Sequence, residues 1–442
     1  MNLKKYITNI TGLQFFQLLR FGILLLISIV FTKSSLGTGE IGIYETFLLI
    51  AGGVSFFWTS GIIQSFLSLY NGSKSLGNSI EKKTSALFNT TLVISLFSVL
   101  AAVFVYFSRD FLANILNLAG GQIPYLKILL MYIVVSGPAN LVEYVYLLRN
   151  KSAWIIKYGI ISLGLQFICV TSPVLLGYDL GYGLYGLVFV NIIRVAWLGI
   201  LILKHSDLKI SIPYLKEQFA IGMPLILSLL LSGSAQYIDG FLVSNFYDEA
   251  SFAVFRYGAR ELPFVILLAN TFSTAMVPVF SENENLKANL LSLKSKSLKL
   301  THLLFPISIL FLVFSKWLFP IVFNENFLDS ADIFNVYLLI IISRLVFPQT
   351  ILIGLRKSSI ILTASFIELV VNVTLSIIFI KSIGMIGVAY ATIIAYYLEK
   401  GILMFYLRRN MGIKIQDYMA LKFFLIYSVL ILVVYFLVSF AF

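Results

Sequence analysis

Thirteen apolar runs of about 20 residues or more follow one another along the chain, with only short polar segments between them, and this dictates the fold. A run of that length crosses the ~30 Å hydrocarbon layer of a bilayer as an α-helix, the form in which a single segment satisfies its own backbone hydrogen bonds without water. The runs cover residues 10–32, 43–70, 86–108, 125–149, 153–177, 184–204, 219–246, 250–280, 299–322, 331–354, 359–382, 384–407 and 421–442. The preferred count is twelve spans plus one C-terminal addition. No intervening loop exceeds about 20 residues, so there is no room for a soluble domain. At 12% charged and 59% hydrophobic, the chain lacks the surface of a water-soluble enzyme and is too apolar to remain disordered. The expected fold class is an all-α polytopic membrane protein.

Loop charge gives the orientation. Loops after even-numbered spans carry Lys74, Lys82 and Lys83, then Arg149 and Lys151, then Lys204, Lys209 and Lys216. The same series continues with Lys287, Lys294, Lys296 and Lys299, then Arg356 and Lys357, then Arg408, Arg409, Lys414 and Lys422. Opposite loops hold few bases, chiefly Lys33, Arg109, Lys316 and Lys381, beside acids such as Asp179, Asp248, Glu249, Glu325, Asp329 and Asp332. By the positive-inside rule the N-terminus is cytoplasmic. The chain's net charge of +12 then divides into +15 on the cytoplasmic side, −3 outside and zero within the spans. The basic surplus reports topology and calls for no nucleic-acid partner. The first span follows two lysines, contains Arg20 and lacks a small-residue cleavage pattern, so it is expected to be retained. A lone Cys169 allows no intrachain disulfide, and two histidines, His205 and His302, at helix ends provide no metal site.

The two halves echo each other at offsets of 201–211 residues. Gly42-Ile43-Tyr44 matches Ala253-Val254-Phe255, Lys151-Ser152 matches Lys357-Ser358, and Gly183/Gly186 matches Gly384/Gly387. Gly199-Ile200-Leu201 matches Gly401-Ile402-Leu403 in turn. Six spans per half make the repeat parallel. The expectation is two six-helix lobes, 1–208 and 209–410, with a cavity between them and an additional transmembrane helix in 411–442. Alternating-access transporters are built on such repeats.

Twelve ionisable residues fall inside the spans: Arg20, Arg194, Arg256, Arg260, Arg344, Lys400, Glu45, Glu143, Asp239, Glu261, Glu368 and Glu399. Charges at this depth are costly and face the bundle interior or a wet cavity. Several lie on polar stripes: Ser136, Asn140 and Glu143 in span 4, Ser228, Ser232, Gln236 and Asp239 in span 7, and Ser365, Glu368 and Asn372 in span 11. Five of the six bases are arginine, whose planar fork suits phosphate. An anionic headgroup, phosphate or pyrophosphate, is therefore the expected ligand. Arg20 and Arg344 have no acid at a matching depth on a neighbouring span. Arg260 has Glu261 as a rival partner, while Asp239 and Arg256 match in depth and leave a structural ion pair open. Arg194 and Glu45 join the candidate polar residues of the cavity. Glu143 and Glu368 are candidates for proton or sodium coupling, with a structural carboxylate as the blander alternative. Trp58 either stacks on a sugar or packs. Leu286 to Lys299, alternating Leu with Lys and Ser, is expected to form an interfacial helix before span 9. No cofactor is expected.

Certain segments resemble the polysaccharide-repeat flippases of the multidrug/oligosaccharidyl-lipid/polysaccharide exporter superfamily. These are Gly42-Ile43-Tyr44-Glu45 with Gly52-Gly53 and Gly61, and the stretch from Gln236-Tyr237-Ile238-Asp239-Gly240 through Phe255-Arg256-Tyr257-Gly258-Ala259-Arg260 to Pro278 and Ser281. Phe327, Ser330-Ala331, Ile333-Phe334 and Tyr337 complete the pattern, which extends over essentially the whole chain. The resemblance implies translocation of undecaprenyl-pyrophosphate-linked oligosaccharide from the cytoplasmic to the outer leaflet of the bacterial inner membrane, by alternating access, for O-antigen, capsule or similar polymers. It implies membrane lipids, a polysaccharide polymerase and chain-length machinery as partners. Arg20 and Arg260, with Arg256 and Arg344 next, match the cavity arginines of that family. A lipid II flippase and a drug/cation antiporter are alternatives within the superfamily. A membrane-embedded polymerase or glycosyltransferase would be expected to need a large loop or an acidic metal site, and neither is visible.

Overall fold

The computed structural model describes residues 9–75, 85–282 and 285–441. Lys82 and Lys83, used above for orientation, lie outside the described residues, as do the side chains of Ser232 and Gln236. Helices follow the apolar runs in order. They open with α1 (Asn9–Lys33), then α2 (Thr38–Gly53) and α3 (Phe56–Ser75), which share the second run. Next come α4 (Ala86–Phe107), a short α5 (Arg109–Ile115), α6 (Leu126–Ala139) with α7 (Val142–Leu148), α8 (Ser152–Leu175) and α9 (Leu180–His205). The seventh run is α10 (Ile212–Gly233) with α11 (Ala235–Phe246), and the eighth is α12 (Glu249–Gly258) with α13 (Pro263–Glu282). Then follow α14 (Leu286–Val322), the tenth run as α15 (Leu328–Leu338), α16 (Ile341–Arg344) and α17 (Pro348–Gly354), and α18 (Ser358–Ile383). The chain ends with α19 (Ile386–Met411), a short α20 (Ile415–Tyr418) and α21 (Leu421–Ala441).

Among the described residues twelve helical stretches, α6 with α7 and α15 with α16 each counted as one, are long and apolar enough to cross a membrane, and the bent pair α2/α3 brings the total to thirteen if it is one span. Apolar side chains point outward, with Phe104 60% and Leu203 65% exposed, whereas Asn89, Ser98 and Asn372 are fully buried. A surface of this kind suits a hydrocarbon solvent. The protein is an all-α, multi-pass membrane protein.

Contacts divide the chain into two compact units, 1–237 with 244–252, and 238–243 with 253–442. In the first, α1 packs on α8, α4 on α6, α8 on α9 and α3 on α10. This packing boundary falls later than the 208/209 division read from the repeat, because polar contacts tie the start of α10 to α4. Asn89 Nδ2 donates to the Lys209 carbonyl at 2.9 Å, and the Ser211 amide donates back to Asn89 Oδ1 at 3.0 Å. Gln218 Nε2 donates to Thr90 Oγ1 at 3.0 Å. In the second unit α18 packs on α19, α13 on α17, and α14 on α15. The additional helix α21 docks on α14, where the Phe305 and Tyr427 rings stack at 5.4 Å.

Two features of the repeat recur in the backbone. Asn150 (φ 58) and Arg356 (φ 56) both take left-handed conformations just before α8 and α18. The following amides then make matching bonds, Lys151 to the Tyr146 carbonyl at 2.9 Å and Lys357 to the Leu352 carbonyl at 2.8 Å. Gly186 and Gly387 are also equivalent: a Cβ on Gly186 would run into the Cys169 carbonyl of α8, and one on Gly387 would sit 2.5 Å from the Phe379 carbonyl of α18. Each glycine lets a hairpin of two long helices close at its crossing.

Runs 7, 8 and 10, read from sequence as single spans, are broken. Gly233-Ser234 separates α10 from α11, Gly258 and Pro263 bracket the gap after α12, and Pro348 restarts the helix after Phe347. Proline lacks the amide that would continue the ladder and pushes its predecessor out of helical geometry. The expected interfacial helix at 286–299 is likewise corrected. It forms the first part of a 37-residue helix that continues straight into span 9. Asn285 caps that helix, its Oδ1 accepting from the Ala288 amide at 3.1 Å, and nothing helix-breaking stands between residues 286 and 305.

A contrast within α9 tests the hairpin crossing. Gly186→Ala should lower the melting temperature in detergent, because overpacking of this kind costs about 1–3 kcal/mol. Gly199→Ala, whose Cβ meets nothing within 4 Å, should hold or raise it. Equal melting temperatures for the two variants would contradict the assigned crossing.

Candidate functional site

The breaks in the spans decide where polar groups can gather. In the first unit α2 ends at Gly52-Gly53, two poor helix formers, and α3 resumes at a 47° bend. The freed Val54 carbonyl accepts from Trp58 Nε1 at 2.8 Å, and the Ser55 hydroxyl returns to the Ala51 carbonyl. Trp58 is 3% exposed and packs against Phe97 with ring centroids 5.7 Å apart, so it serves the bend as a packed side chain. Span 4 breaks after Pro138, where Asn140 Nδ2 donates to the Ser136 carbonyl at 2.9 Å.

Between these two breaks lies a polar cavity of about 270 Å³. Arg20 of α1 enters it from one side; Ser136, Asn140 and Glu143 line it from span 4, as their shared stripe predicts. Ser55, Thr59 and Ser60 contribute hydroxyls from span 2, and Tyr132, Tyr144 and Tyr237 add phenols. Arg20 and Glu143 act on each other electrostatically. Among the described residues, however, the Arg20 guanidinium has no hydrogen-bond or ion-pair partner. Glu45 is buried on α2 and does not line the cavity. Arg194 is held outside the lining: its Nη2 donates to Gln166 Oε1 at 2.8 Å and to the Ser162 carbonyl at 3.2 Å, bridging α8 and α9.

In the second unit the breaks hold charge pairs. Glu261 lies in the gap between α12 and α13, and Arg344 at the end of α16. Arg344 grips Glu261 through both prongs of its fork, Nε to Oε2 at 3.0 Å and Nη2 to Oε1 at 2.6 Å. This corrects two expectations. Arg344 does have an acid partner, and Glu261 is matched to it rather than to neighbouring Arg260. The two residues stand 83 apart in sequence, and their depths become equal only because both runs are broken. Arg260 instead lies over the Tyr257 ring at 4.5 Å. Glu399 pairs with Lys400 at 3.2 Å and accepts from Gln349 and Ser365.

Asp239 of α11 is 4% exposed. Its Oδ2 accepts from Tyr337 at 3.0 Å and from Thr392 at 2.7 Å, and Asn372 Nδ2 donates to Thr392 Oγ1 at 3.0 Å. Arg256 acts on Asp239 electrostatically. Among the described residues Asp239 Oδ1, Asn372 Oδ1, Ser376 Oγ and Glu368 Oε1 are buried without a hydrogen-bond partner. Glu368, Asn372 and Ser376 follow at four-residue intervals on one face of α18.

Several polar residues, two of the cavity lining and one beside Asp239, escaped the sequence reading. Tyr144 follows Glu143 directly, Tyr237 precedes Asp239 by two, and Thr392 sits in an ordinary apolar run. The signals that could have found the first two were Gly52-Gly53 and Pro138, which mark the breaks facing them.

The folded chain is similar to solved transporters. A lipid II flippase, MurJ in an inward closed conformation, superposes with TM-score 0.67 at 19% identity, covering 98% of this chain and 97% of that one. An inward-facing multidrug resistance MATE family transporter of the MOP superfamily gives TM-score 0.62 at 13% identity, covering 89% of this chain and 98% of the other. The Vibrio cholerae MATE transporter VcmN gives 0.58 at 16%, covering 90% and 97%. At these identities the likeness shows a shared fold. No curated protein matches the sequence. The family model described as polysaccharide biosynthesis protein matches residues 36–332, more than half of the chain. The chain therefore belongs to that polysaccharide biosynthesis protein family, on a fold shared with the MOP transporters.

Proposed function

We propose that the protein is a flippase that carries undecaprenyl-pyrophosphate-linked oligosaccharide from the cytoplasmic to the outer leaflet of the bacterial inner membrane by alternating access, supplying repeat units such as those of O-antigen or capsule to a polymerase. The N-terminus is cytoplasmic on this reading, as the basic loops require. The observation that carries the proposal is Arg20, a guanidinium in a polar cavity within a membrane bundle with no protein partner among the described residues. A base placed so has kept its donors for something brought in from outside, and its fork suits a diphosphate. Hydroxyls and phenols around it suit the sugar side of the headgroup. Arg260 and Arg256, in the second unit, stay as separate candidates for headgroup binding. Arg344 is the weaker candidate, since a phosphate would have to displace Glu261 from both prongs. Family membership and the transporter fold support the same reading. Lipid II offers the same pyrophosphate chemistry, and the structural likeness to a lipid II flippase makes it the competitor to include.

The test reconstitutes the protein in liposomes with labelled undecaprenyl-pyrophosphate oligosaccharide, or lipid II, and follows accessibility of the sugar from each side. Arg20→Ala should reduce transport on the order of tenfold to a hundredfold, the worth of a charge-assisted hydrogen bond. Its melting temperature should nearly hold, because no hydrogen bond or ion pair of the described residues is lost. No protein-dependent movement of either lipid, or full activity in Arg20→Ala, would overturn the proposal.

Arg344 should behave in the opposite way. Arg344→Ala leaves a largely buried carboxylate unpaired, with side-chain exposures of 28% for Arg344 and 18% for Glu261, and should cost about 3 kcal/mol of stability. Adding Glu261→Gln to that variant should recover part of the loss, read as melting temperature in detergent.

For coupling we place the driving ion, proton or sodium, at Asp239 in preference to Glu143 or Glu368. Its Oδ1 stands open near Asn372 while Oδ2 is fully engaged. Asp239→Asn keeps an acceptor for Tyr337 and Thr392 but removes the charge. Transport in this variant should no longer respond to an imposed proton or sodium gradient; a wild-type response to both gradients would exclude Asp239.

A further inference from the structure

A second cavity of about 760 Å³ opens where α7 and α9 end and α8 begins, and it shares no residue with the polar cavity around Arg20. Its chemistry is layered. At the rim stand Arg149, Lys151 and Lys204, and among the described residues no carboxylate lines the site. The left-handed Asn150 (φ 58) makes the turn that brings Arg149 and Lys151 to one edge.

Beneath the rim is an aromatic wall fixed by its own contacts. Trp197 Nε1 donates to the Tyr146 hydroxyl at 2.8 Å, Tyr146 stacks on Trp154 at 5.9 Å, and Lys157 Nζ lies 4.9 Å from the Trp154 ring. Below that, Ile193, Ala196 and Ile200 form an aliphatic stripe at helical spacing, with Ile200 65% exposed. From Ile193 to Lys204 the groove runs eleven residues along α9, about 16 Å at 1.5 Å per residue.

Positive groups, then amphipathic rings, then an apolar track reproduce in order the headgroup, interface and acyl layers of a lipid leaflet. We propose that this groove binds one anionic phospholipid of the surrounding membrane, its phosphate on Arg149, Lys151 and Lys204 and one acyl chain along α9. A free phosphate would engage the rim alone and leave the aliphatic track bare. A zwitterionic lipid would set its own cation against three bases. The cavity volume lies within the range of small-molecule sites, roughly 300–1,000 Å³.

Native mass spectrometry of the full-length protein, stripped in detergent, tests the assignment. The probes are phosphatidylglycerol, phosphatidylcholine with the same acyl chains, glycerol phosphate, and undecaprenyl pyrophosphate. One phosphatidylglycerol should be retained per chain in preference to phosphatidylcholine, and glycerol phosphate at the same concentration should not be retained. Lys151→Gln/Lys204→Gln should weaken phosphatidylglycerol on the order of tenfold, since each base near an anionic headgroup contributes about 1 kcal/mol. Both side chains are exposed, and the single variants stand in if the double variant fails to fold. Equal retention of the two phospholipids, or retention unchanged in the variants, would overturn the proposal. Stoichiometric displacement of phosphatidylglycerol by undecaprenyl pyrophosphate would also overturn it, by giving the groove to the transported lipid.

Discussion

In hydrocarbon each backbone amide and carbonyl must find its partner within the protein. An unbroken helix does this without help, and α8, α9, α18 and α19 are continuous over 24 to 26 residues. Any break frees carbonyls and amides, and the structure answers with side chains: Trp58 on the Val54 carbonyl, Asn140 on that of Ser136. Once polar side chains have been drawn to a break, the surroundings already tolerate charge. The same halves of the molecule that break their spans, 2 with 4 and 8 with 10, are the ones that collect ionisable groups beside the gaps.

What becomes of the intramembrane charge differs between the units. The second neutralises: Arg344 is locked to Glu261, and Lys400 to Glu399. A paired group in a low-dielectric site is costly to disturb, since removing one partner strands the other. The first holds Arg194 with neutral oxygens and leaves Arg20 facing the cavity. A base fixed by partners holds helices together, while a base without them is available to a ligand. This distinction ranks the arginines better than depth in the membrane does.

Much of the fold could be read from hydropathy because it follows from the membrane, which acts on every residue by position alone. The stripe Ser136, Asn140, Glu143 was legible for the same reason, as helical spacing is local. Pairing was not. Arg344 and Glu261 come from different spans, and their match depends on two breaks whose depth hydropathy does not set. The continuous α14 was missed because Lys294, Lys296 and Lys299 read as a change of environment, whereas the backbone requires only that no residue stop the helix. Glycine positions carried more than composition suggested: Gly186 and Gly387 mark equivalent crossings, and Gly199 with Gly401 marks equivalent open faces where a side chain would meet nothing within 4 Å.

The two halves are each balanced in intramembrane charge, Arg20 and Arg194 against Glu45 and Glu143 in one, and four bases against four acids in the other. Balance has a consequence for an anionic ligand. A diphosphate seated on Arg20 also comes near Glu143, which lines the same cavity and feels the Arg20 charge. Headgroup binding and the charge on Glu143 are then linked by reciprocal free energy, each disfavouring the other to the same extent. On the proposed reading, Arg20 would supply the attraction and Glu143 would limit it. A flippase of the proposed kind would need both, because an unopposed arginine would hold a pyrophosphate after the headgroup has crossed.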